Sequence, residues 1–333
     1  LPVDLGARGS CTIGGNISTN AGGNMVIKYG MMRDSVLGLE AVLADGQIVS
    51  SMNQMLKNNS GYDLKQLFIG TEGTLGVVTK CVLRLREAPI SLNTALVGIN
   101  DFPSILKFLK HIDSGLGGNM SAFEVMWEGF YGMVTNSLDK KTLPLMPGIP
   151  YYVLVESMGS NQTKDKEHFE FLLSKALEES IIVDAILAQS EKERIGLWSL
   201  RDDVEKQAQF GPTLMFDVSL PISQMEDYVA NVHDNLNNHW KNYNFIVWGH
   251  LADGNLHLVA GVGDLKEETI KKIERSVYDP LELIGGSVSA EHGIGIEKKP
   301  YLHLSRSKEE IHYMKALKKT FDPKGILNPG LIF

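Results

Sequence analysis

Apolar and polar positions alternate along the first part of the chain, as is typical of short β-strands. The alternation covers residues 35–43 and 47–51, and the Asp45-Gly46 pair between them predicts a hairpin. A further strand is predicted over residues 77–85. We therefore expect a small antiparallel sheet near the start of the chain.

Two glycine-rich segments flank these predicted strands. Six glycines lie within residues 5–23, which argues against a regular helix or strand and predicts a loop that lies on a ligand. The second segment, residues 69–79, leads directly into the predicted strand. Glycine becomes sparser after Pro89, so this proline marks a predicted domain boundary.

Beyond Pro89 the period of the apolar positions changes repeatedly between that of a helix and that of a strand. Helices are predicted over residues 102–112, 165–179, 191–207, 222–240 and 265–284, with a last helix that begins at a capping box formed by Ser307 and Glu310. Strands are predicted over residues 151–157 and 216–220, and residues 245–262 hold two strands about a tight turn. Within residues 165–179, the candidate buried positions are Phe169, Phe171, Leu172 and Leu177. The alternation predicts an α+β or α/β fold.

Composition places the chain among ordinary globular proteins. Its 333 residues are enough for two domains, and 43% are hydrophobic and 22% charged. The net charge of −8 argues against a nucleic-acid partner, and no apolar run approaches the roughly 20 residues that a membrane helix needs. Because Leu1 rather than Met opens a glycine-rich functional segment, we expect a fragment or a truncated protein.

The sharpest chemical signal is a pair of histidines beside a turn. If Asp253-Gly254 forms a two-residue turn, His250 lies directly opposite His257, with Cβ atoms about 5 Å apart. Two converging imidazoles are what a divalent metal needs. The alternative is a pair of polar strand residues on a solvated face.

A second signal is the adjacent pair Glu291 and His292 between small residues. Glu291 is a candidate third metal ligand, and His292 is a candidate general base, a role that suits an imidazole. The alternative is a surface loop with incidental charge. Arg201 offers a planar fork that suits a substrate carboxylate, although an arginine on a helix is more often simply solvated.

Six segments then carry a specific resemblance. In order they are GSCTIGGNISTNAGG, YGMMRDSVLGLEAVLADG, GYDLKQLFIGTEGTLGVVT, GHLADGNLHL, SAEHGIG and FDPKGILNPG. Together they closely resemble the D-2-hydroxyglutarate dehydrogenases, in the flavoprotein family that also holds D-lactate and glycolate dehydrogenases and vanillyl-alcohol oxidase. The resemblance covers essentially the whole chain.

The resemblance implies an α+β fold in three parts. Residues 1–88 correspond to the second half of a vanillyl-alcohol-oxidase-type FAD-binding domain. Residues 89–285 correspond to an α/β substrate (cap) domain that carries the metal hairpin. Residues 286–333 correspond to a C-terminal helical segment that returns to the flavin.

Residue roles follow from the same resemblance. The positions matching FAD-contacting segments are Gly14, Gly15, Ser18, Thr19, Asn20, Gly22, Gly23, Glu72, Gly73, Gly76, Val78 and Asn328. His250, His257 and Glu291 match the ligands of a divalent metal, expected to be zinc. His292 matches the base, and Arg201 matches a carboxylate-binding arginine.

The resemblance also implies a reaction and its partners. A D-2-hydroxy acid is oxidised to the 2-oxo acid, with hydride transfer to FAD and metal-assisted proton abstraction. The expected electron acceptor is one such as an electron-transfer flavoprotein, a homodimer is a possible assembly, and the implied location is the mitochondrial matrix.

The sequence departs from this pattern at several places. The relatives carry a further FAD subdomain upstream, so we expect weak FAD binding by this polypeptide alone. Met215 stands where the 2-hydroxyglutarate type has a lysine, Glu205 follows Arg201 by one helical turn, and Val259 replaces an expected polar residue. These three substitutions favour a monocarboxylate such as D-lactate, or an impaired enzyme, whereas the missing upstream subdomain motivates the alternative of a non-catalytic remnant. A metal-dependent hydrolase is a further alternative that leaves the glycine-rich segments unexplained.

Overall fold

The computed structural model describes residues 1–139 and 142–333, and it divides the chain into two compact units. The first unit combines Leu1–Glu87 with Gly285–Phe333, and the second is Ala88–Ile284. Each unit has its own sheet.

The elements follow in chain order. The helices are α1 (Ile13–Ser18), α2 (Val26–Tyr29), α3 (Met32–Ser35), α4 (Phe102–Leu116), α5 (Glu128–Thr135), α6 (Gln162–Glu178), α7 (Glu191–Asp202), α8 (Met225–His239), α9 (Glu267–Leu283) and α10 (Lys308–Phe321). The strands are β1 (Val36–Val42), β2 (Ile48–Ser51), β3 (Val77–Leu83), β4 (Ser91–Ile99), β5 (Met120–Trp127), β6 (Tyr151–Gly159), β7 (Asp184–Leu187), β8 (Leu214–Ser219), β9 (Asn244–His250) and β10 (Asn255–Gly261). Short 3-10 turns occupy Leu64–Leu67, Val204–Phe210, Ile222–Gln224, Leu251–Asp253 and Lys299–Leu304.

The sheet of the first unit has the order β2-β1-β3 with antiparallel pairing. Val42 pairs with Ile48, which confirms the hairpin predicted at Asp45-Gly46. The sheet, α1 and α3 enclose an apolar core that includes Ile17, Leu39 and Phe68. Phe321 at the end of α10 reaches this core and meets the Phe68 ring edge-on at 6.0 Å.

One prediction about the first glycine-rich segment is wrong, because part of it is helical. Helix α1 starts at Ile13 despite Gly14 and Gly15, since the hydroxyl oxygen of Thr12 accepts a hydrogen bond from the Gly15 amide at 3.1 Å. Ile17 on this helix is fully buried. Capping and burial together outweigh the poor helix propensity of glycine.

The second unit is built on a seven-stranded sheet with the order β7-β4-β6-β5-β9-β10-β8. All its neighbouring strands pair antiparallel. Helices α4, α6, α8 and α9 cover one face, where Phe123 of β5 contacts Phe108 of α4. Helices α5 and α7 lie on the other face, against a core that includes Met126 and Trp248. Helices and antiparallel strands in both units confirm an α+β fold.

Several details of the second unit differ from the predictions. Phe169 and Leu172 of α6 are buried as expected, but Phe171 is 55% and Leu177 41% exposed, because they lie outside the face that the 3.6-residue period directs inward. Helix α7 ends at Asp202, where Asp203 leaves the helical region with φ −80° and ψ 49°. Glu205 therefore lies on a separate 3-10 turn, not on the helix of Arg201.

Within the part of the chain described by the structure, no helix has both the length and the apolar character needed to span a membrane.

Candidate active site

The two histidines of the predicted hairpin lie on one face of the second unit's sheet, but in a different register from the one expected. His257 pairs with Trp248, because a 3-10 turn over Leu251–Asp253 and Gly254 replaces the two-residue turn. Gly254 has φ 87°, in the left-handed region that favours glycine. A register that differs by two residues returns side chains to the same face. The imidazole centroids are accordingly 5.3 Å apart.

A buried carboxylate lies behind His250. Nδ1 of His250 is 2.7 Å from Oε1 of Glu124, and Nε of Arg201 donates to Oε2 of Glu124 at 2.8 Å. The Nη2 atom of Arg201 lies 3.0 Å from Nε2 of His250. Because arginine only donates hydrogen bonds, this geometry makes Nε2 the acceptor and places the ring proton on Nδ1.

This triad is shielded from solvent, since Glu124 is 1%, His250 5% and Arg201 7% exposed. The alternative that Arg201 is a solvated charge is therefore wrong. Burial opposes ionisation of Glu124, but the hydrogen bonds from His250 and Arg201 and the positive charge of the guanidinium outweigh it and lower the pKa of this carboxyl below its usual value. The triad thus holds an ionised acid between two donors.

A second carboxylate accompanies His257. Oδ1 of the fully buried Asp217 is 3.9 Å from Nδ1 of His257 and accepts a hydrogen bond from Nδ2 of Asn255 at 3.0 Å. The Oδ1 atom of Asn255 is buried and has no hydrogen-bond partner among the described residues. Two imidazoles, each with a carboxylate nearby, and an unsatisfied buried oxygen fit the donor set of a divalent metal.

Sequence reasoning missed Glu124, Asn255 and Asp217 as parts of this arrangement. The available signal for Glu124 was a single acid within an otherwise uncharged strand, MSAFEVMW. Buried acids are rare unless paired, so an isolated acid in a buried strand indicates a partner. The partners of Glu124 are Arg201, 77 residues away, and His250, 126 residues away. Only the tertiary structure identifies them.

The residues matched to FAD lie in the first unit. Gly14, Gly15 and Ser18 are in α1, Thr19 is its C-cap, Gly22 and Gly23 follow it, Gly76 lies just before β3 and Val78 is within it. The Glu72 amide donates to the Ser18 carbonyl at 2.7 Å. The Asn20 side-chain oxygen accepts from the Arg33 amide at 2.9 Å. The Asn328 amide group donates to the Glu72 carbonyl. The structure thus brings several of these segments together, although their contact with FAD stays a prediction.

Glu291 and His292 also belong to the first unit, in the loop that follows α9. Glu291 is half-buried, and a Cβ atom added at Gly22 would lie 2.8 Å from its Oε1 atom. His292 is exposed. Because the histidine pair belongs to the other unit, a metal site shared by all three predicted ligands stays a prediction.

Two protein families match this sequence. The family described as FAD linked oxidases, C-terminal domain, matches residues 88–332, and the FAD binding domain family matches residues 1–51. The chain therefore belongs to the FAD-linked oxidases. FAD is the cofactor that both family descriptions indicate.

Individual relatives within this family give a more specific comparison than the family descriptions. The mitochondrial D-2-hydroxyglutarate dehydrogenase of Arabidopsis thaliana is 39% identical over 330 residues, which are 99% of this chain and 58% of that protein. The putative mitochondrial D-lactate dehydrogenase of Schizosaccharomyces pombe is 40% identical over 340 residues, which are 99% of this chain and 64% of that protein. The chain thus spans about three fifths of the length of these curated relatives.

Solved structures support the same fold. A structure of alkyldihydroxyacetonephosphate synthase superimposes with a TM-score of 0.70 at 17% identity, over 99% of this chain and 60% of the other. At this identity the likeness concerns the fold alone, and it agrees with the vanillyl-alcohol-oxidase type expected from the sequence.

Proposed function

We propose that the protein containing this chain oxidises a D-2-hydroxy acid to the corresponding 2-oxo acid with FAD. The observation that carries this proposal is the buried pair His250 and His257, backed by the Glu124–Arg201 ion pair. The names of the relatives support the reaction class, and the family match supports the cofactor.

His250, His257 and Glu291 are the residues that would hold a divalent metal, with zinc as the expected ion. When bound, such a metal lowers the pKa of a substrate hydroxyl group. Nδ1 of His250 donates to Glu124, so ligation would use the Nε2 lone pair. Arg201 occupies that lone pair, so ligation there requires Arg201 to release it.

Arg201 and His292 act on the substrate itself in this proposal. Once its Nη2 atom is released from His250, the guanidinium of Arg201 binds the carboxylate while its Nε atom stays on Glu124. His292 accepts the hydroxyl proton as general base, a task that suits an imidazole near neutral pH. FAD, when bound along the glycine-rich segments, supplies the acceptor for the hydride.

A monocarboxylate such as D-lactate is the second candidate substrate. Val259 of β10 pairs directly with Met215 of β8, next to the His257–Asp217 pair and on the same face. Val259 is fully buried and Met215 is 42% exposed. This apolar pair offers no partner to a second carboxylate, which favours the smaller acid.

The relatives also support a setting for the reaction. Both carry a mitochondrial designation in their names, so we propose a mitochondrial location, in the matrix, for this protein too. Transfer of electrons to an electron-transfer flavoprotein, and a homodimeric assembly, belong to the same proposal.

The test uses the protein that contains this chain, reconstituted with FAD and zinc. We expect D-2-hydroxyglutarate or D-lactate to reduce an artificial dye, and both His250→Ala and His257→Ala to lose the metal and at least a hundredfold in rate. His233→Ala serves as the matched control, since His233 is an exposed residue of α8. Flavin-loaded protein that reduces the dye with neither acid, or histidine variants as active as the control, would show the proposal to be wrong.

A further inference from the structure

The carboxylate of Glu72 is held by the backbone of the loop that carries Glu291 and His292. We infer that Glu72 is a positioning residue, which fixes this loop rather than contacting the flavin through its side chain. The inference rests on the proposed function, because it gives Glu72 a role in placing the proposed third ligand and the proposed base.

The contact has one acceptor oxygen for each of two successive amides. The Ile294 amide donates to Oε1 of Glu72 at 2.7 Å, and the Gly295 amide donates to Oε2 at 2.9 Å. Hydrogen bonds to an ionised carboxylate are stronger than neutral ones. Two such bonds join Glu72 to amides that lie 222 and 223 positions later in the sequence. These amides come just after Glu291 and His292.

The loop is shaped to receive this carboxylate. Gly293 has φ 80°, and a Cβ atom added there would lie 2.7 Å from Oε1 of Glu72 and 3.1 Å from its Cδ. Successive amides around a residue with positive φ form a concave site for an anionic group. Only glycine gives the Glu72 side chain room to approach and adopts this conformation without strain. The glycine between His292 and Ile294 is therefore explained by Glu72.

The backbone of Glu72 is itself fixed in an uncommon conformation. Its φ of 54° lies in the left-handed region, which is strained for a residue other than glycine. The Glu72 amide donates to the Ser18 carbonyl, and its carbonyl accepts from the side chain of Asn328. Strain of this kind persists where the surroundings determine the conformation, and it concentrates at functional sites. Two segments therefore contact the backbone of Glu72, and its side chain holds a third.

Hydrogen exchange of the full chain tests this role directly. We compare Glu72→Gln with Glu40→Gln, the same chemical change at a residue of the same unit whose carboxylate contacts Thr79 and Lys80 instead. Glu72→Gln presents an NH₂ group to one of the two amides. The exchange rates of the Ile294 and Gly295 amides should rise roughly tenfold or more in Glu72→Gln alone.

A second variant distinguishes loss of the Glu72 contact from unfolding of the chain. Gly293→Ala keeps the Glu72 carboxylate but removes the space that it occupies, so it should raise the same two exchange rates while far-UV circular dichroism stays that of the unchanged chain. Bound FAD per chain should be equal in all variants. In an active preparation, kcat of Glu72→Gln should fall roughly tenfold to a hundredfold, with KM little changed.

Loss of FAD from Glu72→Gln with unchanged exchange at Ile294 and Gly295 would overturn the inference and restore a direct cofactor contact. Unchanged exchange together with unchanged FAD would overturn it as well. Amide exchange does not depend on turnover. If the flavin-loaded protein is inactive before any substitution, but the Ile294 and Gly295 amides still exchange faster in Glu72→Gln, the proposed function is refuted and the positioning role of Glu72 stands.

Discussion

At the scale of single residues, Glu124 determines the hydrogen-bond arrangement of the candidate site. Its two oxygens accept hydrogen bonds from His250 and Arg201, which fixes the tautomer of the imidazole and the orientation of the guanidinium at once. A buried carboxylate behind a metal-binding histidine raises the basicity of the ligand and restrains its ring. The proposed ligand and the proposed carboxylate anchor therefore share one support.

Replacing Glu124 by glutamine tests this shared support. Glu124→Gln removes the buried counter-charge of the guanidinium and leaves only the more exposed Asp202 at 3.7 Å, so the free energy of unfolding should fall by about 3 kcal/mol and the affinity for zinc by about tenfold to a hundredfold. Urea denaturation and competition with a chelator measure the two effects. Glu178→Gln, at an exposed pair with Lys175, should change the free energy of unfolding by less than about 0.5 kcal/mol. Equal effects in both variants would contradict a supporting role for Glu124.

Asp322 gives a pH-dependent prediction in the first unit. Burial opposes its ionisation, but hydrogen bonds from Lys318 and from the Leu327 and Ile326 amides outweigh it and lower the pKa of Asp322 to about 2. An aspartate in an unfolded chain has a pKa of about 3.9. The ionised carboxylate therefore stabilises the fold above about pH 4, and this stabilisation is lost as the pH falls towards 2.

The measurement is the free energy of unfolding of the unchanged chain and of Asp322→Asn between about pH 2 and pH 6. The variant should be less stable near neutrality, and the difference should shrink below about pH 4. A difference that stays constant over this range would mean that the charge of Asp322 does not stabilise the fold.

At the scale of elements, the caps and the hairpin show where local signals suffice. The Asp45-Gly46 hairpin and the capping box of α10 were predicted correctly, because turn and cap chemistry is contained in a few neighbouring residues. The turn after His250 was predicted two residues too short. In its 3-10 conformation Leu251 is fully buried and the Leu220 amide donates to the Gly254 carbonyl. Neither feature can be predicted from the residues next to the turn.

The capping box of α10 yields a stability prediction. The hydroxyl of Ser307 accepts from the Glu310 amide at 3.1 Å, and the Glu310 carboxylate accepts from the Ser307 amide at 2.9 Å. Ser307→Ala should lower the free energy of unfolding by about 1 kcal/mol, as measured by thermal or urea denaturation. Thr320→Ala is the control within the same helix, since its exposed hydroxyl only bonds back to the Ala316 carbonyl. A larger loss in the control than in Ser307→Ala would rule out the cap as the source of the effect.

At the scale of the whole molecule, the candidate chemistry is distributed over two units. The first holds the glycine-rich segments with Glu291 and His292, and the second holds Arg201, the histidine pair and the Met215–Val259 pair. Substrate choice in the proposed reaction therefore depends on strands that lie far in sequence from the flavin segments. This separation allows specificity to change without altering the residues matched to FAD.

Substrate choice is tested by restoring polarity to the apolar pair. Met215→Lys combined with Val259→Asn should raise kcat/KM for D-2-hydroxyglutarate relative to D-lactate by roughly tenfold or more, because a second carboxylate then gains a charged partner. Steady-state dye reduction with both acids measures the ratio, and Met215→Leu is the size-matched control. An unchanged ratio in the double variant would exclude this pair from substrate recognition.

The sequence by itself determined the family, the α+β class, most of the elements and the candidate ligands, because these depend on local periodicity, on caps and on motifs of a few residues. Only the tertiary structure decided that Arg201 is buried against Glu124 and His250, that the imidazoles approach each other edge-on across a longer turn, and that Glu72 holds the loop of Glu291 and His292. The physical reason is that each of these contacts joins residues distant in the chain. Their hydrogen-bond partners are selected by packing and register rather than by neighbouring residues.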